Sequence, residues 1–191
     1  MFLGCAMLAG CTAESPAPEH IATFSEVIEV AIQEAVAGGA GETQLTILRQ
    51  AQEDGSLTIE DTRAAARSAV DCMNASGFSA TYGEQKDDSG LIVPEYTAGF
   101  DAGQDISGID RCDQQEFFWV NMVYQTQPSA VEKTDARLAQ QAPVIRKCME
   151  DNGYTTDPSS SPRDLARHAS KVAQESNGAV DCLTEAGISG F

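Results

Sequence analysis

Cys72-Met73-Asn74-Ala75-Ser76-Gly77, Cys148-Met149-Glu150-Asp151-Asn152-Gly153 and Cys182-Leu183-Thr184-Glu185-Ala186-Gly187 are three copies of one short pattern. Each is a cysteine, an unbranched or γ-branched apolar residue, three mostly polar residues and a glycine. The first and third copies also share Ala-Val-Asp ahead of the cysteine. Glycine closes a helix well because it enters the left-handed backbone region without a Cβ penalty. The pattern therefore predicts three helix C-termini, each with a cysteine about one turn upstream. It points to a mainly α fold.

Outward from these ends, apolar residues recur at three and four. Ile21, Phe24, Val27, Ile28, Ala31, Ile32 and Ala35 predict a helix over residues 20–37, stopped by Gly38-Gly39. A second helix is expected over 42–53. A third starts at Thr58, with Asp61 three residues on as in a capping box, and runs to Gly77. Asp54-Gly55 before it faintly resembles half of an EF-hand loop. The first ligand positions would be Gln50 and Gln52, which lack carboxylates, so a turn and a cap are expected instead.

Residues 78–82 and 91–96 read as two short strands around Asp87-Asp88-Ser89-Gly90, a hairpin that needs helices to pack on. Residues 97–110 are expected as a solvated loop, and the order of Asp101, Asp105 and Asp110 fits no cation-binding template. One apolar helix is expected over 112–124, with Phe117, Phe118, Trp119, Val120 and Val123 as core. A further helix over 131–152 contains Pro143, expected to kink or split it. Ser161-Pro162 starts another, and a short last helix carries 182–187. The fold expected is one small disulfide-linked helical domain over 20–191 with a hairpin near 78–96.

At the start of the chain, residues 1–10 are apolar and uncharged, and Leu8-Ala9-Gly10-Cys11 resembles the lipobox of bacterial lipoproteins. That resemblance implies a diacylglycerol on the Cys11 thiol and cleavage after Gly10. It makes residues 1–10 a signal peptide and 11–19, polar and Pro-containing, a membrane tether. Two acyl chains suffice for stable anchoring. Ten residues without Lys or Arg fall short of the roughly 15–30 of a secretory signal, so the true start is expected upstream.

Four cysteines remain: Cys72, Cys112, Cys148 and Cys182. None stands in a Cys-x-x-Cys pair, which local zinc and redox sites require. In an exported chain four cysteines read as two disulfides. Three pairings are open. Cys72 with Cys112 and Cys148 with Cys182 is favoured, because each bond then links neighbouring elements and closes about 34 to 40 residues.

The formal charge is −17, from 12 basic and 29 acidic residues. That composition argues against nucleic acid, which needs clustered Lys and Arg. His20 lies at the tether end of the first helix. His168 is expected on a helix beside Leu165 and Val172, as a residue at the boundary of its buried face rather than a general base. No nucleophile elbow, phosphate loop or zinc-protease motif is present, so no catalytic residue, metal or cofactor is assigned.

Gly55-Ser56-Leu57-Thr58 before the Cys72 helix, Tyr124-Gln125-Thr126-Gln127-Pro128 after the aromatic helix, and the Cys148 to Gly153 helix end together span much of residues 42–153. In these features the chain resembles secreted lipoproteins of actinobacteria that have paired cysteines and no assigned activity. The resemblance implies an envelope location and agrees with two disulfides. It carries over no catalytic residue.

The function expected is a non-enzymatic, lipid-anchored protein on the outer face of the cell membrane. Its partners are the bilayer, through acylated Cys11, and an envelope protein or small ligand. Two alternatives are a cell-envelope hydrolase using acidic residues and a solute-binding lipoprotein of an importer. A deep cleft with convergent carboxylates would favour the hydrolase; a shallow apolar patch near the aromatic helix would favour a binder.

Overall fold

A computed structural model describes residues 23–189. The order is α1 (Phe24–Ala37), α2 (Glu42–Asp54), α3 (Ile59–Ala75), β1 (Ser79–Lys86), β2 (Ile92–Gly99), α4 (Ser107–Glu116), α5 (Phe118–Thr126), α6 (Pro128–Asp151), α7 (Pro162–Glu175) and α8 (Cys182–Glu185). The fold is mainly α with one antiparallel hairpin.

All three cysteine-to-glycine copies close helices in the same way. Gly77, Gly153 and Gly187 take φ of 87°, 82° and 67°. The next residue in each case donates its backbone N–H to the carbonyl of the residue after the cysteine: Phe78 to Met73 (3.0 Å), Tyr154 to Met149 (2.9 Å) and Ile188 to Leu183 (2.9 Å). The glycines donate to Asn74, Glu150 and Thr184 at 3.1, 3.0 and 2.9 Å. This pair of bonds is the Schellman closure, and it satisfies carbonyls that would otherwise be orphaned at a helix end. Met73, Met149 and Leu183 are buried, as are Phe78 and Ile188, so the helix end and the chain leaving it bury apolar surface together.

Starts are capped as the sequence indicates. Thr58 and Asp61 form a capping box, with Asp61 N donating to Thr58 Oγ1 (3.2 Å) and Thr58 N to Asp61 Oδ2 (3.0 Å). Ser161 Oγ accepts from Asp164 N (3.1 Å), with Pro162 at the first helical position. The first helix begins at Phe24, because Thr23 and Glu26 form a capping box there. His20 and Ile21 lie outside the described residues.

The buried apolar residues form two clusters. The first runs from Ile28 to Ala130 and joins α1 to α5, the hairpin and the first turn of α6. The second runs from Leu138 to Ile188 and joins the rest of α6 to α7 and α8. Each contains one disulfide. Cys72–Cys112 ties α3 to α4 and Cys148–Cys182 ties α6 to α8, both with Cα atoms 5.6 Å apart. Each bond contributes about 4 kcal/mol in the chain-entropy account.

Several expectations need correction. The helix expected over 112–124 is two helices, broken at Phe117 (φ −135°, ψ −43°), and Cys112 lies inside α4 rather than at a helix start. The cause is Gln44 of α2, whose side chain is fully buried at the break. Its Nε2 donates to Gln114 O (2.9 Å), and its Oε1 accepts from Trp119 N (2.7 Å) and Val120 N (3.2 Å). One amide thus satisfies backbone groups that a continuous helix would have paired internally. Pro143 does not split α6. It lies on the exposed face, while Leu138 and Ile145 on either side are buried in the second cluster and hold both halves of the helix. The strands extend past the expected ends, and β2 takes residues 97–99 from the expected loop, pairing Ser79 with Gly99 and Lys86 with Ile92. His168 is exposed, not at a boundary.

The hairpin does pack on a helix, as its marginal stability alone requires. Asn74, in the first cysteine copy, pairs with Ala80 like a neighbouring strand: Asn74 Nδ2 donates to Ala80 O (3.2 Å) and Ala80 N donates to Asn74 Oδ1 (2.9 Å). Arg63 of α3 reaches Glu84 with Nε and Nη2 (2.7 and 3.0 Å), Tyr82 donates its hydroxyl to the same carboxylate, and Arg67 lies 4.9 Å over the Tyr82 ring.

Candidate ligand site at the seam between the two clusters

Helix α6 passes from one apolar cluster into the other. Thr134, Arg137 and Leu138 stand three and four residues apart, hence on one face. They meet the tip of the hairpin, Gln125 of α5 and the segment after α8. The meeting place is a cavity of about 260 Å³, lined by Asp87, Asp88, Leu91, Val93, Ile188 and Ser189 as well as the α5 and α6 residues.

The hairpin tip is held by Asp87. Its Oδ1 accepts from Ser89 N (2.9 Å), Ser89 Oγ (2.7 Å) and Leu91 N (2.9 Å), a side chain standing in for backbone turn bonds. Asp88 faces the other unit: its Oδ2 accepts from Ser189 N (2.6 Å) and Ser189 Oγ (2.7 Å). The Ser189 N–H, then its hydroxyl, hold the Asp88 carboxyl below its ordinary value, and the charge of Arg137 adds to this.

Arg137 holds the third cysteine-to-glycine copy in place. Its Nη2 donates to Gly187 O (3.2 Å). With its amide oriented to satisfy both neighbours, Gln141 accepts from Arg137 Nη1 (2.6 Å) and donates to Ala186 O (3.1 Å). Arg137 Nε is buried with no acceptor among the described residues. The seam thus brings carboxylates, a guanidinium and an apolar wall into one small space.

The residues singled out from sequence fall elsewhere. Cys72, Cys112, Cys148 and Cys182 are the two disulfides, and Cys11 lies outside the described residues. Asp105 accepts from Ser107 N (2.9 Å) just ahead of α4, and Asp61 completes the capping box of α3 with Thr58. Among the described residues no group of three or more His, Cys, Asp or Glu could hold a metal ion, and no helix is long and apolar enough to cross a membrane. Burial raises the Asp113 carboxyl, whose Oδ1 accepts from the Tyr96 hydroxyl (2.9 Å), and it raises the Tyr96 phenol too. That pair lies between the hairpin and α4, away from the seam. Asp87 was legible as a turn residue because of Gly90 (φ 85°). Asp88, Arg137 and Ser189 carried no local signal, since each acquires its role from a residue at least 50 positions away.

No protein family, curated protein or solved structure matches the chain. The functional reading therefore rests on its own residues.

Proposed function

We propose that this chain is a lipid-anchored extracytoplasmic protein, of the kind secreted by actinobacteria, that captures a small ligand at the seam between its two clusters. The observation that carries the reading is the pairing of all four body cysteines into two disulfides, one within each cluster. Stable structural disulfides are a mark of oxidising compartments. The lipobox-like Leu8-Ala9-Gly10-Cys11 supplies an anchor for a protein so located, and two acyl chains on one residue hold it at the bilayer. A cavity between two packed units, with a few polar groups against apolar side chains, is the usual setting of a small-molecule site.

Two measurements test this. Mass spectrometry of the protein extracted from membranes should find a diacylglyceryl group on Cys11; soluble, unmodified protein overturns the anchoring. Non-reducing peptide mapping of the same material should find no free thiol at the four body cysteines.

A further inference from the structure

We infer that the seam takes a small aliphatic zwitterion, with an ammonium and a carboxylate on a short apolar body, as in an aliphatic α-amino acid. This rests on the reading of the seam as the ligand site. The cavity of about 260 Å³ lies just under the roughly 300–1,000 Å³ of sites for drug-sized ligands, so its ligand is small.

Three chemistries meet in its walls. Asp87 and Asp88 spend Oδ1 and Oδ2, respectively, on the hairpin turn and on Ser189. The second oxygen of each carboxylate has no donor among the described residues, so both can receive a cation. Arg137 carries the opposite charge. Gly187 and Gln141 take one N–H each of Nη2 and Nη1, and the second N–H of each has no acceptor among the described residues, so the guanidinium has donors left for a carboxylate, although its Nε is sealed from the cavity. Leu91, Val93, Leu138 and Ile188 supply the apolar part of the lining.

A simple anion would gain one guanidinium and face two carboxylates. A simple cation would leave Arg137 as it stands. A zwitterion answers both charges, and it adds no net charge to a chain that already carries −17. The ammonium goes to the Asp87 and Asp88 side, the carboxylate to Arg137, and the aliphatic body to the leucine and isoleucine side chains.

The test is isothermal titration calorimetry of the purified full-length chain in detergent with L-leucine, isopentylamine and 4-methylpentanoate. The last two are leucine without its carboxylate and without its ammonium. Leucine is expected to saturate one site, with each half-ligand at least about tenfold weaker. The double variant D87N/D88N keeps an acceptor oxygen at both positions, so the turn and the Ser189 contact survive. It should weaken leucine by a similar factor and leave 4-methylpentanoate no weaker. Isopentylamine binding as tightly as leucine, or leucine binding unmoved by D87N/D88N, overturns the zwitterion assignment, as does the absence of saturable heat with all three probes. The anchored-protein reading fails on a separate readout, an unacylated Cys11.

Discussion

Asp88 and Ser189 are 101 residues apart in sequence, yet both the backbone N–H and the hydroxyl of Ser189 donate to one oxygen of Asp88, at 2.6 and 2.7 Å. This contact joins the tip of the hairpin, built on the first cluster, to the segment that leaves the last helix of the second. Together with α6 it spans the seam.

The contact is exposed, so its removal should act locally. In Asp88→Ala the Ser189 amide should exchange with solvent at least about tenfold faster, while the melting temperature moves by no more than a few degrees, as for most surface substitutions. Hydrogen exchange read by mass spectrometry checks this. Unchanged exchange near residue 189 would mean that the contact does not hold the segment.

Arg63 and Glu84 give a pH dependence of known sign. The bidentate Arg63 contact, then the Tyr82 hydroxyl, lower the Glu84 carboxyl from 4.5 to about 2. A carboxyl lowered in the folded state contributes stability that is complete above its unfolded value and is lost as pH falls through the folded one. The contribution should therefore fade between about pH 4.5 and 2. Acid denaturation of Glu84→Gln should be less steep than that of the wild type in this window. Since the group is exposed, the difference should shrink in high salt.

Each disulfide should protect its own cluster. Replacing Cys72 and Cys112 with serine should cost about 4 kcal/mol, and replacing Cys148 and Cys182 a similar amount. Regional hydrogen exchange distinguishes the two. The first pair should loosen α3 and α4 before α7 and α8, and the second the reverse. Equal loosening throughout would show that the two clusters unfold as one unit.

Gln44→Ala should be among the most destabilising single changes. It removes a buried amide that serves Gln114, Trp119 and Val120, and stranded buried backbone groups cost about 1–3 kcal/mol each. A loss of about 3–5 kcal/mol in urea unfolding is expected, against less than about 0.5 for Gln33→Ala on the exposed side of α1.

Gly108 sits where a Cβ would stand 2.6 Å from the Phe78 ring. Gly108→Ala should cost about 1–3 kcal/mol by overpacking. Combined with Phe78→Leu, the loss should be smaller than the sum of the two single losses, because the smaller side chain makes room. A double-mutant cycle measures the coupling, and strict additivity would place the strain elsewhere.

The parts of the fold that were legible in the sequence are those specified within a few residues. Helix closures at Gly77, Gly153 and Gly187 depend on a left-handed glycine and two bonds inside one turn. The caps at Thr58 and Ser161 span three residues. The hairpin turn depends on Asp87 and Gly90. The disulfide pairing favoured among the three open ones, Cys72 with Cys112 and Cys148 with Cys182, is the one the fold adopts, joining α3 to α4 across the hairpin and α6 to α8 across α7.

What only the tertiary structure decided is specified between distant residues. The break at Phe117 is invisible in 112–124, whose apolar pattern suits one continuous helix; it exists because Gln44, more than 70 positions earlier, inserts its amide there. Pro143 fails to divide α6 because packing on both sides outweighs one missing backbone bond. The seam belongs to the same class. Asp88 and Arg137 are ordinary charged residues in an acidic chain until the fold sets one against Ser189 and the other against Gly187. Local geometry can be read from local sequence because its energetics are local. A site between two packed units cannot, because its members share nothing but their final positions.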